Sequence, residues 1–396
     1  MTDWIRLPAA PGRARPVAWV LALLLGLAVP LSAHSPHQGQ EEGGEAVDAA
    51  EEDAEPKISF HAFFNQAYAM SDGHQVFGIP ERGTTDYRNV ALQVRYQITS
   101  RDIVVTQLSH ERLGRSTLNE VRDDVELDWA FYERRLTDDT SVKVGKMQLP
   151  VGLYNEIRDV GTLLPLYAPP LNFYVENYAS ESVEGVMLSR RFAPDSDWSL
   201  DADLYYGGWD RVEQDPPTGR VVEARVENGV GTQLWLNTPV PDLRFGLSAI
   251  RFDVEGRLNQ AQETDTFELY ALSAAARFGR VSLHTEGLWS QAPFRLTPEI
   301  VLPHIVYLAY YGQIGLELTP KWSLNWQSDF AEVQFQSGLP SVDLNEDHAL
   351  GVSYRFRYNV VAKAEVHQNK GFMAENELTF IPLKTRYGIL SWSVSF

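Results

Sequence analysis

Tyr387-Gly388-Ile389-Leu390-Ser391-Trp392-Ser393-Val394-Ser395-Phe396 closes the chain, and its reading decides the fold. Leu390, Trp392, Val394 and Phe396 are large and apolar, and a serine stands between each pair. Successive side chains of a strand point to opposite sides of its sheet, so this is a strand with one apolar and one wet face. The same rhythm runs backward through the chain. Leu350, Val352, Tyr354 and Phe356 alternate with Gly351, Ser353, Arg355 and Arg357. Val90, Leu92, Val94, Tyr96 and Ile98 alternate with Asn89, Gln93, Arg95 and Gln97. Ile58, Phe60, Ala62, Phe64 and Tyr68 share one face of a first strand, against Ser59, His61 and Asn65. Val125, Leu127, Trp129 and Phe131 are expected to share a face against Asp124, Glu126 and Asp128.

Charge on the polar faces separates this pattern from a soluble β-sandwich, whose apolar faces turn inward on short strands. Strands of about 10–15 residues are long enough to cross a bilayer at a tilt. The apolar face would then meet lipid and the polar face a wet lumen. Every backbone group in lipid must be paired, so the sheet has to close. Short turns fall at Thr99-Ser100-Arg101, Thr137-Asp138-Asp139, Ala193–Asp197, Thr238–Asp242, Phe278-Gly279-Arg280, Thr319-Pro320-Lys321 and Arg357–Asn359. Longer polar or Pro/Gly-bearing stretches lie between them, at 71–85, 209–227, 255–263, 333–342 and 369–376. With both ends on the short-turn side, this alternation predicts an all-β transmembrane antiparallel barrel of about sixteen strands.

Three segments follow from composition. Arg6, Arg13 and Arg15 precede an apolar run from Val17 to Leu31, and Ser32-Ala33 offers small residues for cleavage, so residues 1–33 read as a signal peptide. Residues 34–57 are rich in Glu, Gly, Ala and Gln and read as an acidic, disordered spacer. Residues 58–396 would form the barrel. The chain has no cysteine, which excludes disulfides, thiolate metal sites and a catalytic thiol. Its net charge of −19 argues against a nucleic-acid partner.

Residues 149–180 break the rhythm. Leu149, Val151, Leu153, Ile157, Leu163, Leu164, Leu166 and Phe173 make the stretch apolar, while Pro150, Pro165, Pro169 and Pro170 keep it from being a strand or long helix. A loop of this composition has to pack against something; the barrel interior is the expected place, and a latch across a neighbouring subunit is the alternative. Gly145-Lys146-Met147-Gln148-Leu149-Pro150-Val151-Gly152-Leu153-Tyr154 resembles the segment before the constriction loop in porins of the phosphate-selective type. Gly145, Lys146, Pro150, Gly152 and Leu153 carry the likeness. The terminal Phe396 on its alternating strand, with Leu390, Trp392 and Val394, resembles the assembly signal of Gram-negative outer-membrane barrels. These resemblances imply a porin in the outer membrane, with an in-folded third external loop and passive diffusion of small hydrophilic solutes or ions. The implied partners are outer-membrane lipid and lipopolysaccharide, the barrel assembly machinery and, as in many such porins, two further copies in a trimer. Phosphate selectivity is not carried over, because acidic residues interrupt any ladder of Arg and Lys along the lumen.

Lumen-facing charges are expected at Arg95, Arg122, Asp124, Glu126, Asp128, Arg134, Asp201, Asp203, Glu286, Glu317, Asp329, Arg355, Arg357, Lys363, Glu365 and Arg386. The expectation is a transverse field. Glu156, Asp159 and Glu176 of the loop, with Arg158 among them, would face a basic wall built from Arg95, Arg134, Arg355, Arg357 and Arg386. No phosphate loop, zinc-protease helix or calcium loop occurs, and no cofactor, metal or enzymatic activity is expected. A barrel hydrolase is the alternative reading. It would need a Ser/His pair assembled from different strands near one rim, and a lumen filled with protein. A plugged structural or adhesive barrel is a third.

Overall fold

A computed structural model describes residues 57–116, 119, 125–174, 181–215, 220–255, 265–295, 301–335, 340–371 and 382–396. The signal segment and nearly all of the acidic spacer lie outside the described residues, and Lys57 already opens the first strand. Eight strands form the first half: β1 (Lys57–Asp72), β2 (Thr84–Gln97), β3 (Asp102–Leu113), β4 (Glu126–Thr137), β5 (Thr140–Gln148), β6 (Ser182–Phe192), β7 (Ser199–Asp215) and β8 (Arg220–Asn237). The second half is β9 (Arg244–Glu255), β10 (Asp265–Phe278), β11 (Val281–Arg295), β12 (Val301–Glu317), β13 (Trp322–Phe335), β14 (Val342–Arg357), β15 (Val360–Gly371) and β16 (Leu383–Ser395). Each strand pairs with its sequence neighbours, and β1 pairs with β16, so the sheet closes on itself. Every ladder is antiparallel, as in Tyr68 opposite Leu390 at the closing seam. Beyond the last paired residue, Phe396 N–H donates to Ala62 O at 2.9 Å.

All seven short turns fall at one end of the barrel, where the alternation placed them. The strands at 209–227 run further than expected. Trp209 pairs with Val226 and Gln214 with Val221, so β7 and β8 continue through a stretch whose charge density reads as loop.

The outer wall is an apolar band. Phe60, Leu92, Leu188, Leu204, Leu272, Leu350 and Leu390 are all exposed on it, as a surface made for lipid requires. Aromatic rings border it at both ends. Trp322, Tyr354, Phe356 and Trp392 pack in a chain near the short turns, with centroids 4.6–5.3 Å apart. Tyr270 with Trp289 and Tyr310 with Phe330 mark the opposite edge. Rings at these depths anchor a barrel at the two interfaces.

Above that second edge the polarity inverts. Trp209, Val226, Phe252, Val254 and Phe267 face inward and are buried, while Phe252 stacks on Phe267 at 5.3 Å. On the outside, Arg225 pairs with Asp210 at 2.7 Å and Glu184 at 3.2 Å, and Asn228 donates to Asp253. Here the strands stand clear of lipid, so the ordinary rule of a soluble sheet applies and apolar side chains turn inside.

One expected face is split. Gln107 pairs with Trp129 and Leu108 with Leu127, which leaves Asp128 as a bulge on β4. A bulge re-aims the side chains beyond it. Leu127 is exposed outside, whereas Trp129 and Phe131 are buried inside. The four residues therefore do not share a face.

Candidate functional site

The third long connection, between β5 and β6, follows Gln148; within β5, Gly145 takes a φ of +131°, and a Cβ there would meet Ala130 O at 2.4 Å. Gly152 has a φ of +65°, and a Cβ there would stand 2.5 Å from Tyr174 Oη and 2.7 Å from Glu286 Oε1. Only glycine fits either position. Pro150 is buried and Leu153 half-buried beside them, while Lys146 lies on the outer side and donates to Leu127 O at 2.6 Å. After a short 3-10 turn (Asn155–Ile157) the chain runs through the prolines to a single helical turn, α1 (Leu171–Tyr174).

The loop is fastened to inward-facing side chains on most of the barrel. The Leu153 N–H donates to Glu286 of β11 at 2.9 Å, and Ser273, Tyr174 and Tyr311 donate their hydroxyls to the same carboxylate. The Asn172 N–H donates to Asp329 of β13 at 3.0 Å, and Tyr307 donates to Asn172 O at 2.8 Å. Lys363 of β15 donates to Gly161 O at 2.8 Å and Leu166 O at 2.6 Å. Asn325 reaches Pro165 O, Gln233 reaches Gly152 O, and Tyr154 bonds Gln313 and His284. On the other side Asn65 donates to Asp159 O at 2.8 Å, while Asn89 and Gln107 each donate to its carboxylate at 2.9 Å. Leu149, Val151, Leu164, Phe173 and Tyr174 join the inward aromatic residues in one buried cluster. The first long connection adds Val76 and Ile79, buried against Tyr87, Tyr387 and Ile389.

Below the loop, toward the short turns, lies a cavity of about 660 Å³. Leu164 and Pro165 roof it, and Arg244, Lys321, Arg355, Asp242 and an Arg277–Glu317 pair at 2.8 Å line it.

Of the expected wall residues, Arg355 lines this cavity, and Arg95 shares the inward face of Gln93, exposed near the short-turn end. Arg357 closes β14 at its turn, after a register shift. Arg134 and Arg386 are corrections. Past the Asp128 bulge, Arg134 falls on the outer face with Tyr132, and it pairs with Asp102 at 3.1 Å. Arg386 lies on Leu390's outer face, because the alternation of β16 is unbroken. Asp159 is also not opposite a basic wall; it is docked on amides of β2 and β3. Arg158 pairs with Glu181 at 3.4 Å, and Glu156 is exposed, within the field of Lys143, Asp203 and Arg244. Glu176, Arg122 and Asp124 lie outside the described residues. The anchors Glu286, Asp329 and Lys363 do face inward as expected. Their loop partners Asn172 and Tyr174 carry no mark in the sequence. No local pattern marks a loop amide whose acceptor is 157 residues away.

Burial pushes the Asp159 carboxyl up to about 6, Glu181 adds to the rise, and the Asn89 and Gln107 amides oppose it. A carboxyl raised on docking binds its proton more tightly when docked. The docked loop is therefore favoured below pH 4 and loses that advantage as pH rises from about 4 through 6. Bilayer conductance should be larger at pH 7.5 than at pH 4.5, and Asp159→Asn should flatten the difference. An unchanged pH profile in that variant would remove Asp159 from the response.

No family model and no curated protein matches the chain. Solved structures do match in fold, outer-membrane barrels among them. The trimer form of OmpT from Vibrio cholerae superposes with a TM-score of 0.57 at 11% identity, over 87% of this chain and all of that one. An anion-selective porin from Comamonas acidovorans gives 0.55 at 10%, over 86% of this chain and 100% of its own. The outer-membrane channel DcaP of Acinetobacter baumannii gives 0.54 at 8%, over 86% and 98%. The fold is thus the closed sixteen-stranded barrel of outer-membrane porins and channels.

Proposed function

We propose that the protein is an outer-membrane channel for passive diffusion of small hydrophilic solutes, with residues 149–174 as its constriction and a preference for anions. The observation that carries this is the geometry of the interior. A loop held across the inner wall leaves a wet cavity whose lining charges are mostly positive. Rings of charge and pore width set selectivity in such channels. The anion-selective porin and the channel among its fold neighbours support the same reading, and the trimer form of OmpT supports assembly as a homotrimer.

The test is single-channel recording of the refolded protein in a planar bilayer under a salt gradient. Open channels with an anion-selective reversal potential are expected. Arg244→Glu with Arg355→Glu should move the reversal potential toward cation preference. A well-folded barrel that never conducts would overturn the channel and leave a plugged structural barrel, a reading that the all-round loop anchoring favours.

A further inference from the structure

The outer wall carries, at the edge of its apolar band, a chain of polar side chains that neither the lumen nor the loop uses. Ser328 on β13 and His348 on β14 stand directly opposite in register. Ser328 Oγ is 2.6 Å from His348 Nδ1, and His348 Nε2 is 2.8 Å from Glu346 Oε1. The alternation fixes their side. Asn325, Gln327 and Asp329 on β13, and Asn345 and Asp347 on β14, are buried inward, so Ser328, Glu346 and His348 point out with Trp326, Phe330 and Leu350. Ionisable groups on a lipid-facing wall are costly, and their presence there is by default a functional signal.

Their depth is informative. Trp326, Leu350 and Val352 of the apolar band lie on one side of them along the strands, and Glu332 and Lys370 on the other. The chain of hydrogen bonds therefore sits at the edge of the band, the level at which acyl esters of a bilayer leaflet lie. The Phe330 ring meets the imidazole edge-on at 5.6 Å and braces it. On the side of Ser328 away from His348, the neighbouring residue is Gly312, and nothing stands within 4 Å of where its Cβ would be. The wall is open beside Gly312, while Ser328 itself is 6% exposed, so a substrate reaches its hydroxyl from the Gly312 side. Toward the other side lie three cations on the same face. Lys370 is 4.0 Å from Glu346, Lys384 pairs with Lys370 in register, and Arg386 stands beside Gln368. Lys384 and Arg386 are exposed and hold no ion pair among the described residues.

We propose that Ser328, His348 and Glu346 form a hydrolytic site on the outside of the barrel, cleaving acyl esters of phospholipids whose phosphate is received by Lys370, Lys384 and Arg386. The proposal is independent of the channel reading. His348 Nδ1 takes the Ser328 proton as Oγ bonds to the ester carbonyl carbon. Collapse of the tetrahedral adduct breaks the bond to the glycerol oxygen, which takes the proton from His348 and leaves as a lysophospholipid. A water molecule then gives its proton to the same nitrogen and attacks the acyl-serine, releasing a fatty acid and restoring the hydroxyl. Glu346 accepts the Nε2–H throughout and holds the ring in the tautomer that the first step requires.

The experiment uses the full refolded barrel with a fluorophosphonate probe and, separately, mixed micelles of dioleoyl phosphatidylethanolamine. A phosphonyl adduct on Ser328 is expected by mass spectrometry, together with fatty-acid release. Ser328→Ala and His348→Ala should abolish labelling and lower release at least about 100-fold, the range of general-base catalysis. Glu346→Gln should slow labelling without abolishing it. Lys384→Gln with Arg386→Gln should raise the half-saturating phospholipid concentration several-fold. Folding is checked by heat-modifiable gel mobility, and channel conductance should not move in any of these variants. A folded wild-type barrel that neither labels at Ser328 nor releases fatty acid above the Ser328→Ala background overturns the proposal.

Discussion

Glu286→Ala is expected to raise single-channel conductance several-fold and to make it noisy. The carboxylate accepts from the Leu153 N–H and from the hydroxyls of Ser273, Tyr174 and Tyr311, all in a buried setting. Alanine removes the acceptor and leaves those donors to compete for few alternatives. A buried donor left without a partner costs about 1–3 kcal/mol, and three or four such losses exceed what a single loop contact can absorb. The Leu153 N–H keeps only its bond to Tyr174 Oη at 2.8 Å. The loop should therefore leave this wall while Lys363 and Asp329 still hold its far half. Glu286→Gln keeps an oxygen acceptor and should give an intermediate conductance. Equal conductance in all three proteins would show that the loop does not set the size of the pore.

Phe396→Ala is expected to lower the amount of barrel in the outer membrane by more than tenfold while leaving the assembled barrel about as stable as before. Phe396 is 73% exposed on the outside, so its ring packs little against the protein. What it contributes to the fold is backbone: its N–H and C=O bond to Ala62 across the closing seam, and alanine retains both. A side chain that matters for delivery and not for stability is the behaviour expected of a recognition signal. The measurements are the folded fraction in isolated outer membranes and the urea midpoint of protein refolded in detergent. A midpoint that falls in parallel with the yield would assign Phe396 a packing role instead.

The strands and turns were legible because closure in lipid forces them to repeat one rule, an apolar side chain every second residue. Thr99-Ser100-Arg101 and Phe278-Gly279-Arg280 are plain interruptions of that rule. The rule fails where its physical cause fails. Above the aromatic edge there is no lipid, and 209–227 reads as loop because residues such as Asp210 and Arg225, paired on the outside, are those of a soluble sheet. At Asp128 one extra residue flips the faces, which moved Arg134 outside and Trp129 inside. Arg386 is a different kind of error, since the alternation from Leu390 already placed it outside. The loop was legible as something that must be covered. Which strands cover it was not, because Glu286, Asp329 and Lys363 are spread over three strands and meet Leu153, Asn172 and Gly161 only in space. The Ser328–His348–Glu346 chain is equally invisible in sequence, its serine and histidine being 20 residues apart on neighbouring strands.

The position of those anchors along the polypeptide fixes an order of events. Residues 149–174 are made, and their flanking strands β5 and β6 can pair, before β11, β13 and β15 have been added. The loop's acceptors and donors on those later strands do not exist as a surface until the last third of the sheet is in place. Anchoring of the loop on its far wall therefore cannot precede the part of the sheet that carries that wall. During refolding into dye-loaded vesicles, leakage should rise as the sheet forms and then fall on a slower phase as the loop finds its far wall.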